Sequence, residues 1–352
     1  MKIFPAKSIL ITGHTGFKGA WLSLLLKESG MKVVGVSLPP DTKPNLFEEL
    51  YLGKIIEGHY EIDLSSRDSL VKLTEVFSLH EPEVVFHLAA QSLVRRGYRE
   101  PQRTWAANVM GTVNLLEAVR LTKTAKVVIV VTTDKVYRNK NWPYPYRETD
   151  ELGGKDPYSA SKAAAELVAL SYRESFFKDA GIALATVRAG NVIGGGDWAE
   201  ERLIPDAVRA WSRGDALFVR NPQHIRPWQH VLEPLWGYIL LAQRLFENPE
   251  LADAYNFGPE PDEVFSVRDV IERARKLWGA EAKVVWGKGD EGPHEERILT
   301  LEIAKVRDVL GYFPKWRFDT ALERTIKWYR DFYKGSDARR LCLEDMRMWE
   351  ES

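Results

Sequence analysis

The sequence of 352 residues lacks several features that would each indicate a class of protein. It has one cysteine, Cys342, so no disulfide can form within the chain, which fits a reducing compartment such as the cytoplasm. No stretch approaches the ~18 apolar residues of a membrane span. The first residues show no charged segment followed by a continuous apolar run. We therefore predict a cytoplasmic protein without a membrane partner.

An excess of charge of one sign is also lacking. The 49 Lys and Arg residues balance 50 Asp and Glu residues, which gives a formal net charge of −1. No basic block is long enough to follow a phosphate backbone, so nucleic acid is not an expected partner. The 7 histidines are scattered without the spacing of metal ligands, and no metal site is predicted.

Short apolar runs alternate with longer amphipathic runs through the first half of the sequence. The predicted strands read SILITG, KVVGVSL, HYEIDL, EVVFHLAA, KVVIVVTT and IALATVRAG. The predicted helices between them read WLSLLLKESG, SLVKLTEVFSLH, TWAANVMGTVNLLEAVRLT and SASKAAAELVALSYRESFF. Strands that are apolar on both faces and alternate with helices are typical of a parallel sheet covered on each side. The predicted fold class is α/β, a doubly wound parallel sheet of the Rossmann type.

The pattern changes near residue 190. GNVIGGGDWAEERLIPD is glycine-rich and irregular, and the helical patterns LWGYILLAQRLF, SVRDVIERARKLWG, LEIAKVRDVLG and DTALERTIKWYRDFY follow. We predict a dinucleotide-binding domain over residues 1–190 and a smaller mixed substrate-binding domain over residues 191–352. The two are expected to be interleaved, because a segment near 228–260, which contains AYNFGP, is placed to return to the first domain.

Three glycines at G-x-x-G-x-x-G spacing, Gly13, Gly16 and Gly19, lie between the first strand and the next helix. Backbone without a Cβ can turn tightly and approach a pyrophosphate, whose charge then lies at the helix N-terminus. The motif alone is weak, but its position at the first strand-to-helix turn favours dinucleotide binding over a purely structural turn.

The acidic residue that commonly selects NAD over NADP is missing from the end of the second strand. That end carries Ser37 and Leu38, and Asp41 follows only after two prolines, with Lys43 nearby. We predict NAD, and NADP stays open at this point. Asp63 ends the third strand and is expected to accept a hydrogen bond from the adenine amino group, with a helix N-cap as the alternative.

Proton-handling side chains follow the fifth strand. Thr133, Asp134 and Lys135, in TTDKVY, place a hydroxyl, an acid and a base at the open end of a core strand. Downstream, Tyr158 and Lys162 share a helix face in YSASK. The ammonium and the charge of a nicotinamide ring are expected to lower the tyrosine pKa from ~10 toward neutrality. Tyr158 is then a base that removes an alcohol proton while hydride leaves the same carbon.

Together these segments resemble the extended short-chain dehydrogenase/reductase family. The resemblance rests on G-x-x-G-x-x-G, the LAAQ after strand four, the Thr at the end of strand five and YSASK, and it runs through nearly the whole chain. It implies a NAD-dependent enzyme that acts on a nucleotide sugar, without fixing the reaction. The implied cofactor-binding residues are Gly13, Gly16, Phe17, Lys18, Gly19, Asp63, Leu64, Leu88, Ala89, Ala90, Gln91, Asn108, Tyr158 and Lys162.

An acid after the catalytic Thr sets the sugar 4,6-dehydratases of this family apart from its epimerases, usually in a Thr-Asp-Glu-Val-Tyr run. Here Lys135 replaces the Glu, and with GHTGFKG, RAGNVIGGGDWAEERLIPD and RPWQHV this departure resembles the CDP-glucose 4,6-dehydratases. That implies a lyase that converts CDP-D-glucose to CDP-4-dehydro-6-deoxy-D-glucose and water. Asp134 is the implied general acid and Lys135 the base at C5. Alternatively, Lys135 only positions the substrate, and a water or Asp134 takes the C5 proton.

The resemblance also implies the remaining binding residues and partners. Asn191, Arg202 and Arg226 are expected to hold the diphosphate, with a turn asparagine or surface arginines as the alternative. A homodimer or homotetramer is expected through helices at 101–122 and 159–178, and the product is expected to supply deoxysugars of a bacterial surface polysaccharide such as the lipopolysaccharide O-antigen. The alternatives are a dehydratase of dTDP- or GDP-linked sugars, a nucleotide-sugar 4-epimerase, a simple dehydrogenase and a non-catalytic dinucleotide-binding regulator.

Overall fold

The computed structural model describes residues 6, 8–289, 292 and 296–352 of the chain. Residues 1–5 and 7 lie outside the described residues. They belong to the N-terminal segment in which the sequence shows no charged segment followed by an apolar run. The strands are β1 (Ser8–Thr12), β2 (Lys32–Ser37), β3 (Gly58–Glu61), β4 (Val84–His87), β5 (Val127–Val131), β6 (Ala183–Ala189), β7 (Asn191–Ile193), β8 (Ala216–Val219), β9 (Ile225–Arg226), β10 (Trp228–His230), β11 (Ala254–Phe257), β12 (Phe265–Ser266) and β13 (Lys283–Trp286).

The α-helices cover both faces of the main sheet and build most of the second half of the chain. They are α1 (Phe17–Glu28), α2 (Leu46–Glu49), α3 (Leu52–Ile55), α4 (Ser69–His80), α5 (Val94–Arg99), α6 (Pro101–Trp105), α7 (Gly111–Thr122), α8 (Pro157–Tyr172), α9 (Leu203–Ser212), α10 (Leu232–Glu247), α11 (Val267–Trp278), α12 (Ala304–Leu310), α13 (Phe318–Tyr333) and α14 (Ala338–Glu351). No helix among the described residues combines the length and the apolar character that a bilayer span requires.

In the described part of the chain, seven parallel strands form one sheet in the order β11-β6-β5-β4-β1-β2-β3. The interior strand β5 reads VVIVV and is buried along its whole length, as expected for a strand covered on both faces. The predicted doubly wound parallel sheet is therefore confirmed. The strand order reverses between β1 and β4, and ligands of such sheets bind at the carboxyl ends of the strands beside that reversal.

One of the two edge strands of the sheet comes from the second half of the chain. β11, which contains the AYNF of AYNFGP, pairs in parallel with β6 and places Tyr255 opposite Val187. The two halves therefore share one sheet. The division into domains at residue 190 stays a prediction.

Several helical regions differ from the sequence patterns. The helix predicted from TWAANVMGTVNLLEAVRLT consists of α6, a π-helical turn (Ala106–Met110) and α7. Helix α9 begins inside the segment that was expected to be irregular, and α14 was not predicted at all. Charged residues separate the apolar positions of α14, yet Leu341, Cys342 and Trp349 are buried against the rest of the protein. Packing of these buried side chains against the rest of the protein therefore stabilises α14.

The glycine run after β7 packs the second half of the chain against α1. Trp21 of α1 donates its indole Nε1–H to the carbonyl oxygen of Gly195 at 2.9 Å. A Cβ on Gly195 would lie 2.0 Å from the ring of Trp328 on α13, which is far inside contact distance. Close approach therefore requires glycine here, and it holds the segment after β7 over the ends of the sheet strands.

Candidate active site

A cavity of about 790 Å³ lies where the strands β1, β2, β4 and β5 end, between the sheet and the second half of the chain. This is the edge of the sheet at which the sequence predicted ligands. The predicted site residues that line the cavity are Gly13, Gly16, Phe17, Lys18, Gly19, Asp63, Leu64, Leu88, Ala89, Ala90, Gln91, Thr133, Asp134, Lys135, Tyr158, Lys162, Asn191, Arg202 and Arg226.

The three glycines of the first turn have different surroundings. Gly13 has a φ of +76°, and a Cβ there would lie 2.6 Å from the backbone nitrogen of Ala89. A Cβ on Gly19 would lie 2.1 Å from the carbonyl oxygen of Gly13, whereas on Gly16 it would keep an ordinary 3.4 Å from the same atom. The outer glycines thus allow the tight turn and close packing, and the exposed middle one opens toward the cavity. This arrangement fits a dinucleotide pyrophosphate at the N-terminus of α1.

We expect alanine at two of these glycines to have different effects. Gly19→Ala forces a methyl group into the turn and should destabilise the fold by about 1–3 kcal/mol. Gly16→Ala should leave the thermal unfolding midpoint close to that of the wild type and weaken NAD binding, because its methyl group enters only the space at the cavity. Thermal unfolding and calorimetric titration with NAD measure the two effects. Unchanged NAD affinity in Gly16→Ala would contradict this assignment of the loop.

Carboxylates lie near the expected adenosine end of the cavity. Asp63 accepts hydrogen bonds from the backbone N–H and hydroxyl of Ser65, at 2.9 and 2.7 Å. The N-cap position of α4 is occupied by Asp68, so the alternative reading of Asp63 as the cap of that helix is wrong. Beyond the two prolines, Asp41 forms an ion pair of 2.8 Å with Arg96 on α5. The acid near the end of β2 is thus paired with an arginine that lines the same cavity.

Tyr158 and Lys162 are held in place by the start of α8. Asp156 caps this helix by accepting from the backbone N–H of Ser159 at 3.0 Å. Both Tyr158 and Lys162 are buried, and the Lys162 ammonium donates to the carbonyl oxygen of Val131 at 2.7 Å. Burial lowers the pKa of Lys162 to about 8. The lysine is thus tied to the last residue of β5, directly before the TTDKVY segment.

The pKa of Tyr158 differs from the sequence-based expectation. Burial raises the pKa of this phenol to about 12, and the hydrogen bond with Thr133 opposes the increase only in part. Nearby Asp134 raises the pKa further, whereas the Arg202 guanidinium lowers it. Desolvation thus dominates among the protein's own groups, and the lowering of the tyrosine pKa by Lys162 together with a nicotinamide charge stays a prediction. The positive charge of a nicotinamide ring bound in the cavity is the second contribution on which that prediction depends.

The TTDKVY segment turns sharply after β5. Thr133 donates its hydroxyl to Asp134 Oδ1 at 2.9 Å, and Lys135 Nζ lies 3.8 Å from the same oxygen. Asp134 is 1% exposed, and its Oδ2 has no hydrogen-bond partner among the described residues. An unsatisfied buried carboxylate oxygen is costly. Its location on the cavity wall makes it suited to a hydroxyl group of a ligand.

Two basic side chains, Lys18 and Arg202, lie between the glycine turn and the second half of the chain. Arg202 donates to Asp197 Oδ2 at 2.8 Å and to the hydroxyl of Ser92 at 3.0 Å. Burial and the charge of Arg202 lower the pKa of Lys18 to about 8. Cations on this wall favour anionic ligands such as diphosphates.

A second basic group lines the far side of the cavity. Arg226 donates to the carbonyl oxygens of Ile225 and Glu296, at 2.7 and 2.5 Å. Asn191 lies on β7 opposite Trp228 of β10, and both line the cavity. The three predicted substrate-binding residues therefore all line the same cavity.

Asn108 is the one predicted site residue that does not line the cavity. Its side-chain oxygen accepts from the Gln91 backbone N–H at 2.8 Å, and its amide donates to the Gln91 carbonyl at 3.0 Å and to Ser161 at 2.9 Å. These contacts use the side chain within the protein. Asn108 therefore positions the segment after β4 against α8, and its contact with the cofactor stays a prediction.

Sequence patterns missed an ion-pair cluster at the cavity mouth. Arg95 and Arg99 of α5 both donate to Glu201 Oε1, at 3.2 and 3.1 Å. The partners are separated by 106 and 102 residues in the sequence. No local motif marks a contact of this separation, so only the fold reveals it.

Comparisons with known proteins identify the family to which the chain belongs. Residues 10–325 match the family model described as GDP-mannose 4,6-dehydratase. A CDP-glucose 4,6-dehydratase of Salmonella typhimurium is 45% identical over 340 residues, which is 95% of this chain and 93% of the relative. The chain belongs to the family of nucleotide-sugar 4,6-dehydratases. Its relatives include a dTDP-glucose 4,6-dehydratase of Streptomyces antibioticus, 31% identical over 71% of both chains.

Solved structures share the fold of this dehydratase. MoeE5 in complex with UDP-glucose and NAD has a TM-score of 0.78 at 25% identity, covering 92% of this chain and 99% of that chain. A UDP-glucose 4-epimerase of Thermotoga maritima has a TM-score of 0.79 at 24% identity, over the same shares of the two chains. Dehydratases and epimerases therefore have the same fold, and the residues of the site must distinguish their reactions.

Proposed function

We propose that this member of the family converts CDP-D-glucose to CDP-4-dehydro-6-deoxy-D-glucose and water. The observation that carries the proposal is the buried Asp134 oxygen without a partner, placed beside Thr133 and Lys135 at the end of β5. Loss of water from C5 and C6 needs one group that removes a proton and one that supplies a proton. The extensive similarity to the Salmonella typhimurium enzyme supports CDP-glucose as the substrate.

The glycine turn supports NAD as the cofactor, as in the related MoeE5 structure. Gly13, Gly16 and Lys18 would hold its pyrophosphate, and Asp63 its adenine end. When bound there, NAD supplies the acceptor for hydride from the sugar C4 and the donor of hydride to C6. The cofactor is regenerated within each turnover, so NADH is not expected to accumulate in solution.

The first chemical task of the protein's own residues is to remove the C4 hydroxyl proton. Tyr158, which hydrogen-bonds Thr133, takes this proton. Because burial raises the pKa of the phenol, proton removal depends on stabilising the phenolate. Lys162 of α8, whose ammonium contacts the end of β5, and Arg202 supply positive charge for this purpose.

The second task is elimination of water. A ketone at C4 makes the C5 proton acidic. Lys135 removes that proton and returns one to C5 once C6 has received hydride. Asp134 gives a proton to the departing C6 hydroxyl from the buried side of the same segment. Meanwhile Asn191, Arg202 and Arg226 hold the diphosphate, so that the sugar stays in position between the two steps.

We infer that the enzyme forms a homodimer or homotetramer through α6, α7 and α8. Large apolar side chains are exposed on these helices and the π-helical turn between α6 and α7: Trp105, Met110, Leu121, Leu167 and Leu170. Clustered exposed apolar residues are typical of an interface. Sedimentation velocity of the wild type tests the assembly, and a monomer would contradict it.

We further propose a cytoplasmic enzyme that supplies deoxysugars for a bacterial surface polysaccharide such as the lipopolysaccharide O-antigen. The buried free thiol of Cys342 suits a reducing compartment. The place in polysaccharide synthesis rests on the family alone.

Proton NMR of the purified enzyme with CDP-glucose in D₂O tests the reaction, beside parallel samples with dTDP-, UDP- and GDP-linked sugars. We expect a new 6-deoxy methyl signal and deuterium at C5 with CDP-glucose only. A methyl signal from a different nucleotide sugar would keep the chemistry and overturn the substrate. Inversion at C4 with the C6 hydroxyl retained would indicate a 4-epimerase, and net formation of NADH a simple dehydrogenase.

A further inference from the structure

A buried ion pair lies directly behind the catalytic segment and does not line the cavity. Glu166 of α8 and Arg188 of β6 form a bidentate pair, with Nε–Oε1 and Nη2–Oε2 distances of 2.9 Å. They are 4% and 3% exposed. A buried ion pair is often no more stabilising than apolar residues of similar volume. The pair therefore invites an explanation other than stability.

The pair contacts both ends of the TTDKVY segment. At its start, Thr132 donates its hydroxyl to Glu166 Oε1 at 2.5 Å. At its end, the Tyr137 hydroxyl accepts from Arg188 Nη1 at 2.9 Å and donates to Asn256 Oδ1 at 2.7 Å. Thr133, Asp134 and Lys135 lie between these two anchors. The ion pair thus fixes the turn that carries the acid and the base.

The same pair is attached to the helix of the catalytic tyrosine. Glu166 follows Lys162 by four residues and Tyr158 by eight, so the three side chains lie along one face of α8. Glu166 Oε2 also accepts from the hydroxyl of Thr186 at 2.6 Å. With these bonds, Glu166 has one fixed arrangement in which α8, β6 and the catalytic segment meet.

We propose that the Glu166–Arg188 pair is the positioning unit of the active site, which sets the acid and base of the TTDKVY segment at a fixed distance from Tyr158 and Lys162. The proposal rests on the proposed dehydratase function. It assigns to two residues outside the cavity a role in the reaction through their contacts, since misplacement of catalytic groups by about 1 Å can lower turnover about 10²-fold.

The negative charge of Glu166 also acts on Lys162. Burial lowers the pKa of Lys162 to about 8, and Glu166 opposes that decrease. The other groups that face Lys162 are the Lys18 ammonium from α1, His87 from β4, whose own pKa burial lowers to about 3, and the Val131 carbonyl. Activity that needs protonated Lys162 is lost as the pH rises through this pKa. Removal of the Glu166 charge should therefore move the loss to lower pH.

The test is the pH dependence of methyl formation by Glu166→Gln. Glutamine keeps an acceptor for Thr132 and removes the charge. We expect kcat to fall about 10²-fold, with KM changed less than about threefold. We also expect the alkaline limb of the pH profile to move down by about one unit. Asp345→Asn is the matched control, because it breaks the buried Asp345–Arg324 pair outside the cavity. It should lower the unfolding midpoint without moving the limb.

Two further variants keep the proposal testable if Glu166→Gln does not fold. Thr132→Val and Tyr137→Phe each remove one anchor and keep both charges of the pair. Each should lower kcat at least tenfold with the alkaline limb unmoved. Wild-type kcat in both variants would overturn the proposal, as would a Glu166→Gln enzyme that resembles Asp345→Asn in every measurement. If the wild type proves to prefer another nucleotide sugar, the same comparison with that sugar separates this proposal from the choice of substrate.

Discussion

Tyr158→Phe is expected to lower methyl formation from CDP-glucose by about 10³-fold while the protein still binds NAD. The substitution removes the only atom of the side chain that can take the C4 proton and keeps the ring that fills this part of the cavity. NMR measures the turnover, and calorimetric titration measures cofactor binding. Because the pKa of Tyr158 is raised to about 12 by burial, the wild type should also gain activity with rising pH until Lys162 loses its proton.

Tyr312→Phe is the matched control for this prediction. Its hydroxyl is buried, has no hydrogen-bond partner among the described residues, and lies outside the cavity wall. Turnover of this variant should equal that of the wild type. A Tyr158→Phe protein that turned over within threefold of the wild type would remove the tyrosine from the mechanism.

Asp134→Asn is expected to stop the loss of water while oxidation at C4 continues. The amide is similar in size to the carboxyl group and still accepts the hydrogen bond from Thr133, but it cannot give a proton to the C6 hydroxyl. Methyl formation should fall about 10³-fold. CDP-glucose recovered from D₂O should nevertheless carry deuterium at C5, because Lys135 still removes that proton.

Lys135→Gln separates the two roles in the catalytic segment. If Lys135 is the base at C5, this variant should lose both the methyl signal and the deuterium in recovered CDP-glucose. The opposite pair of results, deuterium kept in Lys135→Gln and lost in Asp134→Asn, would make Asp134 the base and leave Lys135 to position the substrate.

Features that depend on local pattern could be predicted from the sequence. Most strands of the first half are continuous apolar runs, and all the predicted strands lie in the sheet. The glycine turn lies directly before α1, as predicted. The residues TTDKVY and YSASK meet at one cavity because parallel strands end on the same edge of the sheet. Motif position was therefore sufficient to place these residues at one cavity.

Features that depend on desolvation or on distant partners could not be predicted. The spacing of Tyr158 and Lys162 gives their shared helix face but not the burial that raises the pKa of the phenol. Asn108 occupies the expected place in the sequence, yet its hydrogen bonds go to Gln91 and Ser161. Arg188 of β6 contacts Glu166 of α8 and Tyr137 after β5, and no local sequence spacing indicates these contacts.

The late arrival of β11 has a consequence for how the enzyme matures on the ribosome. Asn256, which accepts from the Tyr137 hydroxyl, is made 119 residues after it. At ~5–20 residues per second, the catalytic segment waits roughly ten seconds for this bond. Until then β6 is an open sheet edge, and two nascent chains can pair with each other through such edges. A fragment that ends near residue 190 lacks β11 and would retain that open edge.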